Sequence, residues 1–153
     1  VGFNAKAIKK LATGTYNITA TYAKNGKTYV RTTKLTITDK QPTLSATVKK
    51  TSVELAASTK ADAFVTTSDF ITFSYNGTNV TVDSSAIAKV EGKLKKADGT
   101  ITDLAKDSEL FESKKTVTAT ITKITVTFTV PDTGDLTCEV VVPVDKAFTI
   151  SGK

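Results

Sequence analysis

Histidine, methionine and tryptophan are absent from the 153-residue sequence, cysteine occurs once and proline three times. Without histidine the chain lacks the commonest general base and the commonest zinc ligand. A single cysteine, Cys138, forms no internal disulfide and no thiolate cluster, which removes structural zinc knots and most Cys–His nucleophile arrangements. Any stability outside the cell must then come from a packed core rather than from covalent staples. No run reaches the roughly 18 apolar residues of a membrane-spanning helix, so no membrane insertion is expected. The sequence carries neither an initiator methionine nor a signal-peptide pattern, and reads as an excised or mature piece.

What is abundant is threonine, 30 residues or roughly a fifth of the chain, with frequent valine and isoleucine and 39% apolar residues overall. β-Branched side chains suit a pleated, half-buried surface, so the composition predicts an all-β protein. The length allows one ordinary domain or two small ones. There are 21 basic and 15 acidic residues, a net charge of +6, which favours anionic surroundings such as wall polymers, acidic glycans or nucleic acid. The basic residues read as scattered pairs, Lys9-Lys10, Lys49-Lys50, Lys95-Lys96 and Lys114-Lys115, on solvated faces and loops. No nucleic-acid stripe is expected from them.

Strand signals run through most of the chain. Tyr16, Ile18, Ala20 and Tyr22 alternate with polar residues, Asn25-Gly26 suits a tight turn, and Tyr29, Leu35 and Ile37 return on a second strand, which together predict a hairpin. After the polar "TDKQPT" segment, strands are expected at about 44–49, 52–57, 70–75, 79–82, 87–95, 116–130, 136–142 and 146–151. Asn76-Gly77, Asp98-Gly99 and the stretch Pro131-Asp132-Thr133-Gly134 supply turn chemistry. In "TVTATITKITVTFTV" the apolar phase holds as Val117, Ala119, Ile121 and restarts one residue late at Ile124, Val126, Phe128, Val130. That slip predicts a β-bulge near Thr122-Lys123, at which so long a strand would bend to serve two sheets. Residues 103–115, with Leu104, Leu110 and Phe111 as a poor stripe, predict a loop with one helical turn.

One motif is echoed. "ATGTYNI" (12–18) and "DTGDLTC" (132–138) each set a Thr-Gly turn before an alternating strand, with Tyr16 matching Leu136 and Ile18 matching Cys138. Both resemble the Asp-x-Gly-x-Tyr-x-Cys entry to the penultimate strand of immunoglobulin-like sandwiches. At these residues, and in its Thr- and Lys-rich composition, the chain resembles the bacterial immunoglobulin-like domains of S-layer and other cell-surface proteins. The absence of a core tryptophan and of a cysteine pair sets it apart from animal-type immunoglobulin domains. The resemblance implies an immunoglobulin-like antiparallel β-sandwich over residues 44–153, a linker at 40–43, and terminal strands of a preceding sandwich domain at 1–39. Cys138, in phase with Leu136, Val140 and Val142, is expected to be buried and unreactive.

The same resemblance implies a structural module of a bacterial surface layer or cell wall, extracellular, spacing or assembling subunits, with neighbouring copies of the parent protein as partners. An anionic cell-wall polymer or glycan is a further partner on this reading, nucleic acid is not, and the isolated chain is expected to be monomeric. The alternative is an adhesin or carbohydrate-binding sandwich using an aromatic face, for which Phe70, Phe73, Tyr75 and Phe111 are candidates, although their strand phase favours the core. A fibre-decoration domain is a third possibility. No enzyme is expected, since no carboxylate spacing supports a glycosidase pair, including Asp83 with Asp69 or Glu91. No cofactor is expected. Calcium is the one ion with candidate ligands, Asp39, Asp69, Asp83, Asp132 and Asp135, with Asp103 and Asp107 beside them. The same carboxylates also serve as turn formers, the reading favoured because nothing resembles the Asp-x-Asp-x-Asp-Gly loop. "NIT" (17–19), "NGT" (76–78) and "NVT" (79–81) are sequons that a Thr-rich chain contains by chance.

Overall fold

The computed structural model describes residues 14–37, 42–131 and 137–153. The chain divides into two compact units, and the described residues of the first are the hairpin segment with Val130 and Pro131. In that unit β1 (Gly14–Lys24) and β2 (Lys27–Ile37) pair antiparallel without a register shift, from Gly14 opposite Ile37 to Lys24 opposite Lys27. The two-residue turn has Asn25 at φ 52° and Gly26 at φ 72°, the left-handed pair of a type I′ turn whose twist matches the flanking strands. The expected hairpin is therefore present.

The second unit, Pro42–Thr129 with Thr137–Lys153, carries the remaining elements. They are β3 (Leu44–Val48), β4 (Ser52–Leu55), α1 (Ala61–Val65), β5 (Ile71–Tyr75), β6 (Thr78–Val80), a 3-10 turn (Ser84–Ala86), β7 (Ile87–Lys95), β8 (Ile101–Leu104), β9 (Thr116–Thr129) and β10 (Thr137–Gly152). A five-stranded sheet runs β4-β10-β9-β7-β8 and a three-stranded sheet runs β3-β5-β6. All pairs are antiparallel except β4 with β10, which is parallel. The architecture is all-β and sandwich-like.

Period-2 alternation explains the packing. Leu44, Ile71 and Phe73 of the small sheet are buried, as are Val90, Leu94, Val117, Ile121, Val142 and Ile150 of the large one. Tyr75 meets Phe128 with ring centroids 5.2 Å apart, and β3 lies against β10. Phe64 of α1 stands edge-on to Phe148 of β10 at 5.1 Å and 86°, so the short helix plugs the core with an aromatic contact.

The bulge falls where the phase slip predicts. Glu91 pairs with Lys123 and Gly92 with Ile121, which leaves Thr122 as the extra residue on β9. Ile121 and Ile124 are thereby both buried although three positions apart. The Thr122 hydroxyl donates to the Glu91 carbonyl at 2.9 Å. On the other side of β9 the ladder to β10 breaks between Pro143 and Lys146, with Asp145 at φ 49°, so the two strands expected at 136–142 and 146–151 are one interrupted strand.

Several expectations need correction. β9 stays in one sheet along its length, between β10 and β7; the chain moves from the small sheet to the large one between β3 and β4 instead. Residues 103–115 contain no helical turn. They finish β8 and continue as a loop with two hydrogen-bonded turns, Ser108 N–H to Ala105 O at 3.1 Å and Lys115 N–H to Glu112 O at 3.2 Å, pinned by Ala61 N–H to Ser108 O at 2.9 Å and Leu110 N–H to Thr59 O at 2.9 Å. Leu104 and Leu110 are both buried, but six positions at 3.6 residues per turn place them about 120° apart on a helix, so a helix would not bury both against one surface. α1 lies in a stretch for which no element was predicted. The boundary segment 38–41, the positions 1–13 and the positions 132–136 lie outside the described residues, and with them most of the turn expected at 131–134 and Thr133, Gly134 and Leu136 of the echoed motif.

Candidate functional site

The hairpin register builds an uneven surface. Tyr22 is the cross-strand partner of Tyr29, with Lys24 opposite Lys27 on one side and Ala20 opposite Arg31 on the other. Positions two apart on a strand share a face, so Lys24, Lys27, Arg31 and both tyrosines lie on one side of the hairpin, near its turn. The tyrosine rings stack at 5.1 Å with 15° between their planes. Tyr22 is 52% exposed and Tyr29 half-buried, so this aromatic pair faces solvent rather than a core. Farther from the turn the same face carries Tyr16, Ile18, Leu35 and Ile37, all half-buried. The opposite face is a threonine ladder in which Thr19 and Thr32 hydroxyls lie 3.1 Å apart.

The charge of this segment is one-sided. Seven of the 21 basic residues fall within residues 1–38, where there is no acidic residue, and the other 14 share residues 39–153 with all 15 acidic ones. The net positive charge of the protein thus resides in its first quarter. Reading the lysines as scattered pairs missed this: on the hairpin Lys24, Lys27 and Arg31 flank the solvent-facing tyrosine stack. Charge summed over segments would have revealed the asymmetry, although only the register reveals the shared face.

Of the calcium candidates, Asp69 and Asp83 are exposed, and Asp39, Asp132 and Asp135 lie outside the described residues. Among the described residues no three His, Cys, Asp or Glu side chains come together as a metal-binding group. Asp103 is held in an ion pair by Lys93, whose hydrogen bond and charge lower its pKa below the usual carboxylate range. The Asp98 carboxylate accepts from the Thr100 N–H at 2.8 Å, and this bond lowers its pKa too, so it closes the Asp98-Gly99 turn. Glu91 lies 3.8 Å from Lys123 beside the bulge. Each of these partnered carboxylates has a structural task.

No protein-family model, curated protein or solved structure matches the chain.

The aromatic candidates divide. Phe73 is buried, and Phe70, Tyr75 and Phe111 are half-buried, with Phe70 against Phe64 at 5.2 Å and Tyr75 against Phe128. They form no flat exposed face. Cys138 is half-buried rather than buried: it keeps phase with Val140 and Val142, but it sits one residue inside the end of β10, and its thiol lies 4.0 Å from the Phe128 carbonyl. A cavity of about 150 Å³ is lined by Leu94, Lys96, Glu109, Leu110, Phe111 and Val117, with Glu112 completing it. Its acids serve the loops, because Glu109 accepts from the Ser58 N–H at 3.2 Å and Glu112 from the Ala97 N–H at 3.3 Å. The hairpin face is the one described surface where exposed aromatic area and unneutralised charge coincide.

Proposed function

We infer that this chain is a structural module of a bacterial surface-layer or other cell-surface protein, extracellular, spacing or assembling subunits with neighbouring copies of its parent. The observation that carries this reading is the succession of two β units whose sheets end, among the described residues, in edge strands paired on one side only: β1 and β2 in the hairpin, β4, β8, β3 and β6 in the larger unit. Edge strands offer backbone donors and acceptors to an adjoining subunit. They are short where the sheet is large, four residues each in β4 and β8, and charged at Glu54 and Asp103, which restrains uncontrolled pairing.

The immunoglobulin-like assignment is part of this reading. What supports it is the run β10-β9-β7-β8, which corresponds to the G-F-C-C′ side of a variable-type sandwich, with a first strand beside the last. The direct β5 to β6 hairpin in the smaller sheet departs from that pattern. On the same reading, residues 1–39 are the end of one domain and 44–153 the next.

Sedimentation tests the reading: the isolated chain stays monomeric, while the parent protein sediments as large assemblies whose size responds to ionic strength or calcium. A parent that remains monomeric under every salt condition contradicts it. The second reading, a carbohydrate-binding module, is favoured by one observation, the solvent-facing Tyr22–Tyr29 stack.

A further inference from the structure

Edge pairing leaves the turn end of the hairpin unexplained. Lys24 and Lys27 face each other across the strands, an arrangement that destabilises an antiparallel pair, and no acidic residue in residues 14–37 offsets it. Arg31 lies on the same face two positions beyond Tyr29, and its guanidinium uses one donor on the Val30 carbonyl at 3.2 Å, leaving others for a ligand. We propose that this face binds an acidic polysaccharide, a sugar chain bearing carboxylates on some of its residues, with the anions on Lys24, Lys27 and Arg31 and a neutral ring against the tyrosine pair. The proposal stands independently of the assembly reading, since it needs no second copy of the chain.

Three features choose this occupant. A bound anion relieves the Lys24–Lys27 repulsion, so binding and hairpin stability are coupled. Along β2, Lys27 and Arg31 are four residues apart, about 13 Å at 3.3 Å per residue, with Tyr29 midway. That spacing alternates charge with an apolar surface. It suits acidic sugars separated by neutral ones better than a nucleic-acid duplex, in which each strand carries a phosphate for about every 3.4 Å of helix axis. The stacked rings already cover each other's inner faces at 5.1 Å, so a base has no slot between them, while ring edges and phenol hydroxyls remain for the C–H faces and hydroxyls of a pyranose.

The test titrates the full chain with fluorescent hyaluronan oligosaccharides, in which every second sugar is acidic, beside neutral chitin oligosaccharides and oligothymidylate. Saturable hyaluronan binding that weakens with salt and exceeds both controls is expected. The triple variant Lys24→Gln, Lys27→Gln, Arg31→Gln should lose about tenfold or more in affinity, whereas Lys49→Gln with Lys50→Gln should change it little. Tyr22→Ser, which keeps every charge, should also weaken binding, and melting of each variant no lower than that of the unaltered chain shows that loss of folding is not the cause. Absence of hyaluronan binding, equal or tighter binding of oligothymidylate, or equal losses in the two lysine variants would each overturn the proposal.

Discussion

Gly92 on β7 lies so close to Thr120 on β9 that a methyl group at its Cβ position would sit 1.9 Å from the Thr120 carbonyl oxygen. The obstacle is backbone in the middle strand of the large sheet, so it cannot swing aside as a side chain would. This contact accompanies the bulge, since the register jumps between Glu91 and Gly92.

Gly92→Ala is therefore expected to destabilise the protein by about 1–3 kcal/mol or more, the range of overpacked sites, seen as a lower midpoint in urea. Gly99→Ala is the comparison: its Cβ meets nothing within 4 Å, but its φ of 89° strains any other residue, so its cost is conformational. A midpoint for Gly92→Ala equal to that of the unaltered protein would mean that the two strands do not approach as described.

Acid should weaken the fold through two exposed carboxylates. Asp98 is lowered by its bond from Thr100 and Asp103 by Lys93, so each stays charged in the folded chain to a lower pH than in the unfolded one. Their contribution is present above the ordinary carboxylate value of about 3.9 and is lost as pH falls through the lower folded values. Thermal midpoints of Asp98→Asn and Asp103→Asn should converge on the unaltered protein in strong acid and lie below it near neutrality. High salt should shrink the Asp103 difference and leave more of the Asp98 difference, which rests on a backbone hydrogen bond. Differences that persist unchanged at low pH would contradict this assignment.

The organisation into two units makes a separate prediction. Residues 42–153 alone should melt in one cooperative transition, because the aromatic contacts of Phe64 with Phe148 and of Tyr75 with Phe128 lie within them. Phe64→Ala should lower that midpoint markedly, by the equivalent of about 3–5 kcal/mol. An unfolded 42–153 chain beside a cooperatively melting full chain would show that the two parts form one folding unit.

Features written in adjacent residues were legible before any coordinates. Asn25-Gly26 between alternating runs announced the hairpin, and the three-residue step from Ile121 to Ile124 announced the bulge, because both follow from period-2 geometry. Features created by distant partners were not. α1 is five residues long, too short for an apolar stripe, and is recognisable only by the aromatic pocket into which Phe64 fits. β8 has three exposed residues before Leu104 and lacks any alternation, since as an edge strand it buries only that one. The cationic face of the hairpin escaped notice for the same reason: Lys24, Lys27 and Arg31 become neighbours of the tyrosines through cross-strand register.

Assembly of the parent protein is the central claim. Electron microscopy of the parent protein, with calcium and after its chelation, tests that directly. Ordered sheets or filaments that change or disperse with the ionic conditions are the predicted result, and Ile101→Lys, on the β8 edge where the side chain is 62% exposed, should disrupt them without lowering the melting temperature of the isolated chain. A parent that stays dispersed as single particles in every condition would contradict it.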